Sequence, residues 1–271
     1  MNTPSIPMPA LGLGTFRLKD QTVIDAVKSG LSLGYRHIDT AQIYGNEAEV
    51  GQAIAESGVP RAELFVTTKI WTESLAGDRL MPSLRESLSK LCMDAVDLTL
   101  IHWPSPGGAV PLKDTLEALV EAKRLGLTRE IGLSNFTVAQ MREAIELVGV
   151  EALATNQVEI HPFLQNRAVV EFARSQGLHL TAYMPLAYGK VMTDPVMRDI
   201  AAAHRTTPAQ VSLAWLLQQG FTVIPSSTKP ANQAANLQAG TLRLSESDMA
   251  RIATLDRGER LADPDFAPAW D

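Results

Sequence analysis

Short apolar runs alternate with longer segments in which apolar residues recur every three or four positions, almost from one end of the chain to the other. The short runs read as strands and the longer segments as amphipathic helices. This pattern predicts strands over residues 10–15, 36–39, 64–68, 96–101, 130–133, 154–158, 179–182 and 221–224. Eight strands separated by helices belong to the α/β class with a parallel sheet. A closed (β/α)8 TIM barrel follows from eight such units more naturally than a doubly wound sheet.

Several helices carry their own punctuation. Val23, Ile24, Val27 and Leu31 share one helical face, and Gly34 stands where a left-handed stop is needed. Asn46 and Glu49 have capping-box spacing ahead of Val50, Ala53 and Ile54. Thr207, Pro208 and Gln210 give an N-cap, a first-turn proline and a capping-box glutamine, and Gly220 closes that helix. No linker, repeat or low-complexity tract divides the chain, so residues 1–271 are expected to form one domain. The tail from Arg257 has no period of its own, but Phe266 and Trp270 predict that it lies over the pocket rather than fraying.

Composition narrows the partners. With 45% hydrophobic and 20% charged residues and no apolar run near the roughly 20 residues that span a bilayer, no membrane partner is expected. A net charge of −6 without a basic cluster excludes nucleic acid. The start, Met1 to Pro7, has neither a basic nor an apolar export region, which predicts a cytoplasmic protein. The single cysteine, Cys92, is expected to be a small core residue near a helix end. No long apolar stripe remains once the barrel is drawn, so a monomer is expected.

In a barrel the carboxyl ends of all strands converge on one face. Here those ends carry Asp39 with Tyr44 just beyond, Lys69, His102, Ser134 with Asn135, Gln157, Tyr183, and Ser226 to Thr228. Singly, a lysine there is a solvated charge, a histidine beside Trp103 is packing, and a loop tyrosine is surface. Together Asp39, Tyr44, Lys69 and His102 make a functional constellation. Gly12-Leu13-Gly14 lacks the third glycine of a dinucleotide fingerprint, since Arg17 stands there, and is read as turn geometry. The five histidines, at 37, 102, 161, 179 and 204, form no His-x-His pair and no ligand-spaced carboxylates join them, so no metal site is expected.

The stretches Gly34-Tyr35-Arg36-His37-Ile38-Asp39-Thr40-Ala41, Tyr44-Gly45-Asn46-Glu47, Thr68-Lys69 and His102-Trp103-Pro104 resemble the signatures of the aldo-keto reductase superfamily. Leu11 to Asp20, Gly126 to Gly132 and Ile224 to Lys229 extend the likeness, which runs from Ile6 to the tail and is strongest to bacterial 2,5-diketo-gluconate reductases of the B type. The resemblance implies reduction of aldehydes and ketones with NADPH, of 2,5-diketo-gluconate to 2-keto-gulonate and of small aldehydes such as methylglyoxal. The alternative is a nicotinamide-binding sensor that has kept the barrel without turnover.

By that resemblance Tyr44 is the proton donor, Lys69 its activator, Asp39 the partner of Lys69, and His102 the group that orients the carbonyl. A cationic Lys69 about 4 Å from Tyr44 would favour the phenolate by roughly 4 kcal/mol at an effective dielectric near 20, about three pKa units before Asp39 offsets part of it. Ser134, Asn135 and Gln157 are implied to hold the nicotinamide carboxamide and Tyr183 to stack on its ring. Pro185, Leu186, Ala187 and Gly189 would follow the pyrophosphate, and Gly14, Thr15, Asp39 and Asn236 complete the implied contacts. At the adenosine end, where many relatives carry a lysine and an arginine, this chain has Ser226 and Asn232, leaving Ser227, Thr228 and Lys229 to meet a 2′-phosphate. Phe16, Arg17, Trp71, His102, Trp103 and Trp270 are expected to line the substrate pocket.

Overall fold

A computed structural model describes residues 7–271. Residues 1–6, which carry the expectation about export and the first residue of the family likeness, lie outside the described residues. The sheet has eight parallel strands in sequence order: β1 (Leu13–Gly14), β2 (His37–Asp39), β3 (Phe65–Ile70), β4 (Val96–Ile101), β5 (Thr128–Ser134), β6 (Leu153–Glu159), β7 (Leu180–Tyr183) and β8 (Thr222–Val223). Backbone bonds from Gly12 N to Val223 O and from Val223 N to Ala10 O, both 2.8 Å, return β8 to the start of β1 and close the barrel.

The strands differ from the sequence expectation at their ends. β1 and β8 keep two residues each, because Pro225 has no N–H to extend the ladder and accepts instead from Gly14 N at 3.0 Å. β3, β5 and β6 run further, taking Lys69, Ser134 and Glu159 into regular, buried strand. The register slips between Ile131 and Leu133, where a Cβ on Gly132 would stand 2.7 Å from Thr155 O. Only glycine permits that approach.

The helices are α1 (Asp20–Leu33), α2 (Glu47–Glu56), α3 (Gly77–Leu91), α4 (Leu112–Arg124), α5 (Val138–Val148), α6 (Arg167–Gln176), α7 (Pro195–Ala203), α8 (Pro208–Gln218), α9 (Pro230–Gln238) and α10 (Glu246–Ala253). α1 buries Val23, Ile24, Val27 and Leu31 and stops at Gly34, whose φ of 109° is in the left-handed region. Thr207 and Gln210 form the expected capping box of α8. Asn46 does not cap α2: its side chain is buried and turned toward the loop after β1, as described below. Cys92 is exposed at the left-handed C-cap of α3, φ 54°, and is not a core residue. Apolar helix faces and the outward strand faces make the main core, while Phe65, Leu98 and Leu100 form a smaller cluster with Met8 and Ala154. Among the described residues no helix is long and apolar enough to cross a membrane.

Candidate active site

The strand ends bring the expected residues together because neighbouring parallel strands place their carboxyl termini side by side. Asp39, the last residue of β2, pairs in register with Thr67, so Lys69 lies two residues further along β3. Lys69 is fully buried, and its Nζ donates to Asp39 Oδ1 at 2.5 Å, to Thr40 O at 2.9 Å and to Tyr44 Oη at 3.4 Å. Gln157 Nε2 donates to the other oxygen, Asp39 Oδ2, at 2.8 Å. Tyr44 ends a short 3₁₀ turn, Gln42–Tyr44, that Gly45 terminates with φ 62°. Asn46 locks this turn: Nδ2 donates to Thr15 O (2.9 Å) and Leu18 O (3.0 Å), and Oδ1 accepts from Thr40 Oγ1 (2.9 Å). Satisfying three buried groups across two loops is worth more here than a helix cap, which water can replace.

His102 follows β4, with its ring edge-on to Tyr44 at 5.6 Å and to Trp71 at 5.2 Å between centroids. Its Nδ1 is buried without a hydrogen-bond partner. Burial, and then the charge of Lys69, hold the imidazole pKa well below 6.5, so the ring is neutral at physiological pH.

Tyr44 departs from the expectation that Lys69 would lower its pKa. Desolvation first, and then the charge of Asp39, hold the phenol well above 10. Burial is the main cause; Asp39 adds to it, and because it lies closer to Lys69 than Tyr44 does, it offsets much of the lysine's charge at the phenol. Tyr44 is therefore a protonated donor at neutral pH. Lys69, too, has a lowered pKa through desolvation, with Asp39 opposing.

Among the residues assigned by resemblance to a nicotinamide cofactor, Ser134, Asn135, Gln157 and Tyr183 are joined by hydrogen bonds. Ser134 Oγ donates to Gln157 O (2.8 Å), Asn135 Nδ2 to His102 O (2.9 Å), and Tyr183 Oη to Asn135 Oδ1 (2.7 Å). Asn135 takes φ 64°, which turns its side chain back across the strand ends. Pro185, Leu186 and Ala187 lead to Gly189, around whose Cβ position nothing lies within 4 Å. Gly14 and Thr15 are buried beside them, with Thr15 Oγ1 donating to Asp39 O at 3.0 Å. Ser226, Thr228, Lys229 and Asn232 are exposed at the start of α9 and Ser227 is half-buried, whereas Asn236 is buried. The start of α9 thus presents hydroxyls, one lysine and a helix N-terminus, the kind of group that binds phosphate.

The pocket mouth is aromatic. Phe16 packs on Tyr44 at 5.1 Å, and the tail's Phe266 meets Trp71 (5.8 Å) and Trp103 (5.6 Å) edge-on. Trp270 meets Trp103 at 5.9 Å, so the tail lies over the pocket as its aromatics foretold. Arg17 is exposed, with its guanidinium over Phe16 (5.2 Å) and Tyr188 (4.7 Å). Among the described residues no group of three or more His, Cys, Asp or Glu side chains is placed to hold a metal ion.

This geometry coincides with a match of residues 10–257 to the aldo/keto reductase family model. The chain belongs to the aldo/keto reductase family. It is an oxidoreductase that reduces aldehydes and ketones, in a family that uses NAD(P)H. A methylglyoxal reductase, DkgB, of Salmonella typhimurium is 60% identical over 265 residues, 97% of this chain and 99% of that protein. A solved chain provisionally named as a 2,5-diketo-D-gluconic acid reductase B superposes with a TM-score of 0.93 at 45% identity, covering 97% and 94% of the two chains. The aldose reductase of Schistosoma japonicum superposes at 0.88 with 35% identity, over 93% and 90%.

Sequence reasoning gave three residues around this pocket no role in it. Asn46 looked like a cap, Tyr188 carried no periodic signal, and Glu159 lay just past the strand drawn at 154–158. Glu159 was recoverable, since it stands two positions after Gln157 and so on the same face of β6.

Proposed function

We propose that this reductase takes small carbonyl compounds, methylglyoxal and 2,5-diketo-gluconate among them, and reduces them with NADPH, with Tyr44 as proton donor. The observation that supports this most directly is the buried chain Asp39, Lys69, Tyr44, with neutral His102 edge-on beside it. Reduced nicotinamide supplies the hydride when bound at Ser134, Asn135, Gln157 and Tyr183. His102, with its proton on Nε2 because Nδ1 has no acceptor or donor to meet, orients the carbonyl oxygen. Tyr44 then gives its proton to that oxygen. Because its pKa is raised, the phenol carries the proton at neutral pH, and the carbonyl oxygen becomes basic enough to take it as the hydride arrives. Lys69, 3.4 Å away, stabilises the phenolate that remains, and Asp39 and Gln157 hold Lys69 in place.

NADPH is favoured over NADH by Lys229 and the hydroxyls of Ser227 and Thr228 near the 2′-phosphate. The working protein is a cytoplasmic monomer in this reading. Its test is the fall of NADPH absorbance, and separately of NADH, with each carbonyl. Tyr44→Phe is expected to bind cofactor normally and to keep under about 1% of turnover, the usual loss with a general acid. Several per cent of turnover left in that variant would remove Tyr44 from the role. Equal efficiency with NADH, or an unchanged preference in Lys229→Ala, would overturn the cofactor assignment.

A further inference from the structure

Glu159 is a fully buried carboxylate outside the group that meets Tyr44, and every hydrogen bond of its side chain points at two things, His161 and the tail. His161, also fully buried, accepts Phe163 N at Nδ1 (3.3 Å), which leaves its Nε2–H to donate to Glu159 Oε1 at 2.8 Å. Leu261 N donates to Oε1 (2.9 Å) and Ala262 N to Oε2 (2.8 Å). A buried carboxylate is tolerated only when its lone pairs are filled, so detaching the tail would leave this one facing unfilled space.

Beyond Ala262 the tail is tied mainly to itself. Trp270 Nε1 donates to Asp263 Oδ1 (2.8 Å), and Arg260 stacks 3.7 Å from the Trp270 ring. Arg257 N and Glu259 N donate to Phe163 O (3.2 and 3.0 Å) and Arg260 to Asn166 Oδ1 (3.0 Å), which fixes the tail's first residues; past them, among the described residues, hydrogen bonds between residues 261–271 and the barrel are the two at Glu159 and one at the far end, from Val138 N to Asp271 Oδ2 at 2.8 Å. Phe266 lies between these ties, against Trp71, which itself packs on His102.

We propose that Glu159 is the positioning residue that holds the C-terminal tail closed over the pocket, and thereby sets how well the enzyme accepts aromatic carbonyls relative to small aliphatic ones. This deepens, and rests on, the reading of the pocket as the carbonyl site. The contacts that Phe266 offers a bulky ring require the tail to be seated. A two-carbon or three-carbon aldehyde reaches His102 and Tyr44 without them.

The test uses two variants of the full chain. Glu159→Gln removes the charge and makes one of the three donors face an amide nitrogen. Ala262→Pro deletes one donor from the tail side and leaves the barrel untouched, so it keeps the test usable should Glu159→Gln fail to fold. Both are expected to raise KM for benzaldehyde roughly tenfold, the scale of losing hydrogen bonds to a charged group, with kcat for methylglyoxal within about twofold of the parent. NADPH affinity, read by fluorescence titration, should be unchanged. Hydrogen exchange followed by mass spectrometry should show faster exchange over residues 261–271 with β6 still protected. An unchanged benzaldehyde-to-methylglyoxal ratio in folded variants, an equal loss with both carbonyls, or unaltered exchange in the tail would each overturn the proposal. Exchange needs no turnover, so a parent protein inactive with both carbonyls would sink the carbonyl reading while the tail's tie to Glu159 was still judged.

Discussion

His37 should make this protein lose stability on mild acidification, and the size of the loss can be worked from its surroundings. The side chain is buried beneath Asp39, with Nε2 3.1 Å from Thr67 Oγ1 and Phe65 edge-on at 5.1 Å. Gly12 packs so closely that a Cβ there would be 2.7 Å from Nδ1. Desolvation, helped by the charge of Lys69, pulls the pKa from 6.5 to about 4; the charge of Asp39, the backbone of Pro9 and the charge of Asp97 oppose this without overcoming it. In the unfolded chain the imidazole takes up a proton as pH falls through 6.5, whereas the native ring does not until about pH 4. The unfolded state then binds more protons, so stability falls as pH falls across that window. Between pH 7 and 5.5 the loss assigned to His37 is about 1.2 kcal/mol. His102 and His179, also lowered by desolvation, add losses of the same sign. Glu47, whose pKa burial raises, has the opposite sign and acts closer to the carboxylate range, which is why the comparison stops at pH 5.5. The assay is urea unfolding of the parent and of His37→Gln at both pH values. The variant can keep a bond to Thr67 but cannot titrate, so its loss should be smaller than the parent's by about 1.2 kcal/mol, whatever its absolute stability. Equal losses in the two proteins would refute the reasoning.

Three further outcomes follow from particular contacts. Lys69→Met should lower kcat at least about 100-fold in steady-state assays, and should also destabilise by roughly 3–5 kcal/mol in urea, because Asp39 is left as a buried unpaired charge. Gly51→Ala, although favourable for an isolated helix, should lower the unfolding midpoint by an amount worth about 1–3 kcal/mol, since its Cβ would stand 2.5 Å from the Leu91 carbonyl where α2 crosses α3. Ser226→Lys combined with Asn232→Arg, both at exposed positions beside α9, should raise the NADPH-to-NADH ratio of kcat/KM at least about tenfold through charge-assisted contacts to the 2′-phosphate; an unchanged ratio would move the adenosine end elsewhere.

The sequence by itself determined the barrel and the group at its centre. Eight alternating units, the Gly34 stop and the Thr207 capping box are local signals, set by backbone sterics and side-chain period, and they hold in the folded chain. Asp39, Lys69, His102, Gln157 and Tyr183 were legible because parallel strands deliver their carboxyl ends to one place, so position along the chain was enough to forecast a meeting. The tertiary structure alone decided what each group does on arrival. Asn46 abandons a cap that its spacing favours, because three buried polar groups in two loops need it more. Tyr44 stays a protonated phenol first because it is buried and then because Asp39 opposes Lys69 at closer range, a balance of burial and distance that residue types cannot express. Arg17 lies over two rings, and Glu159 takes the tail's N–H groups a hundred residues away in sequence. Electrostatics and burial depend on separations in space, and those exist only once the strands have closed.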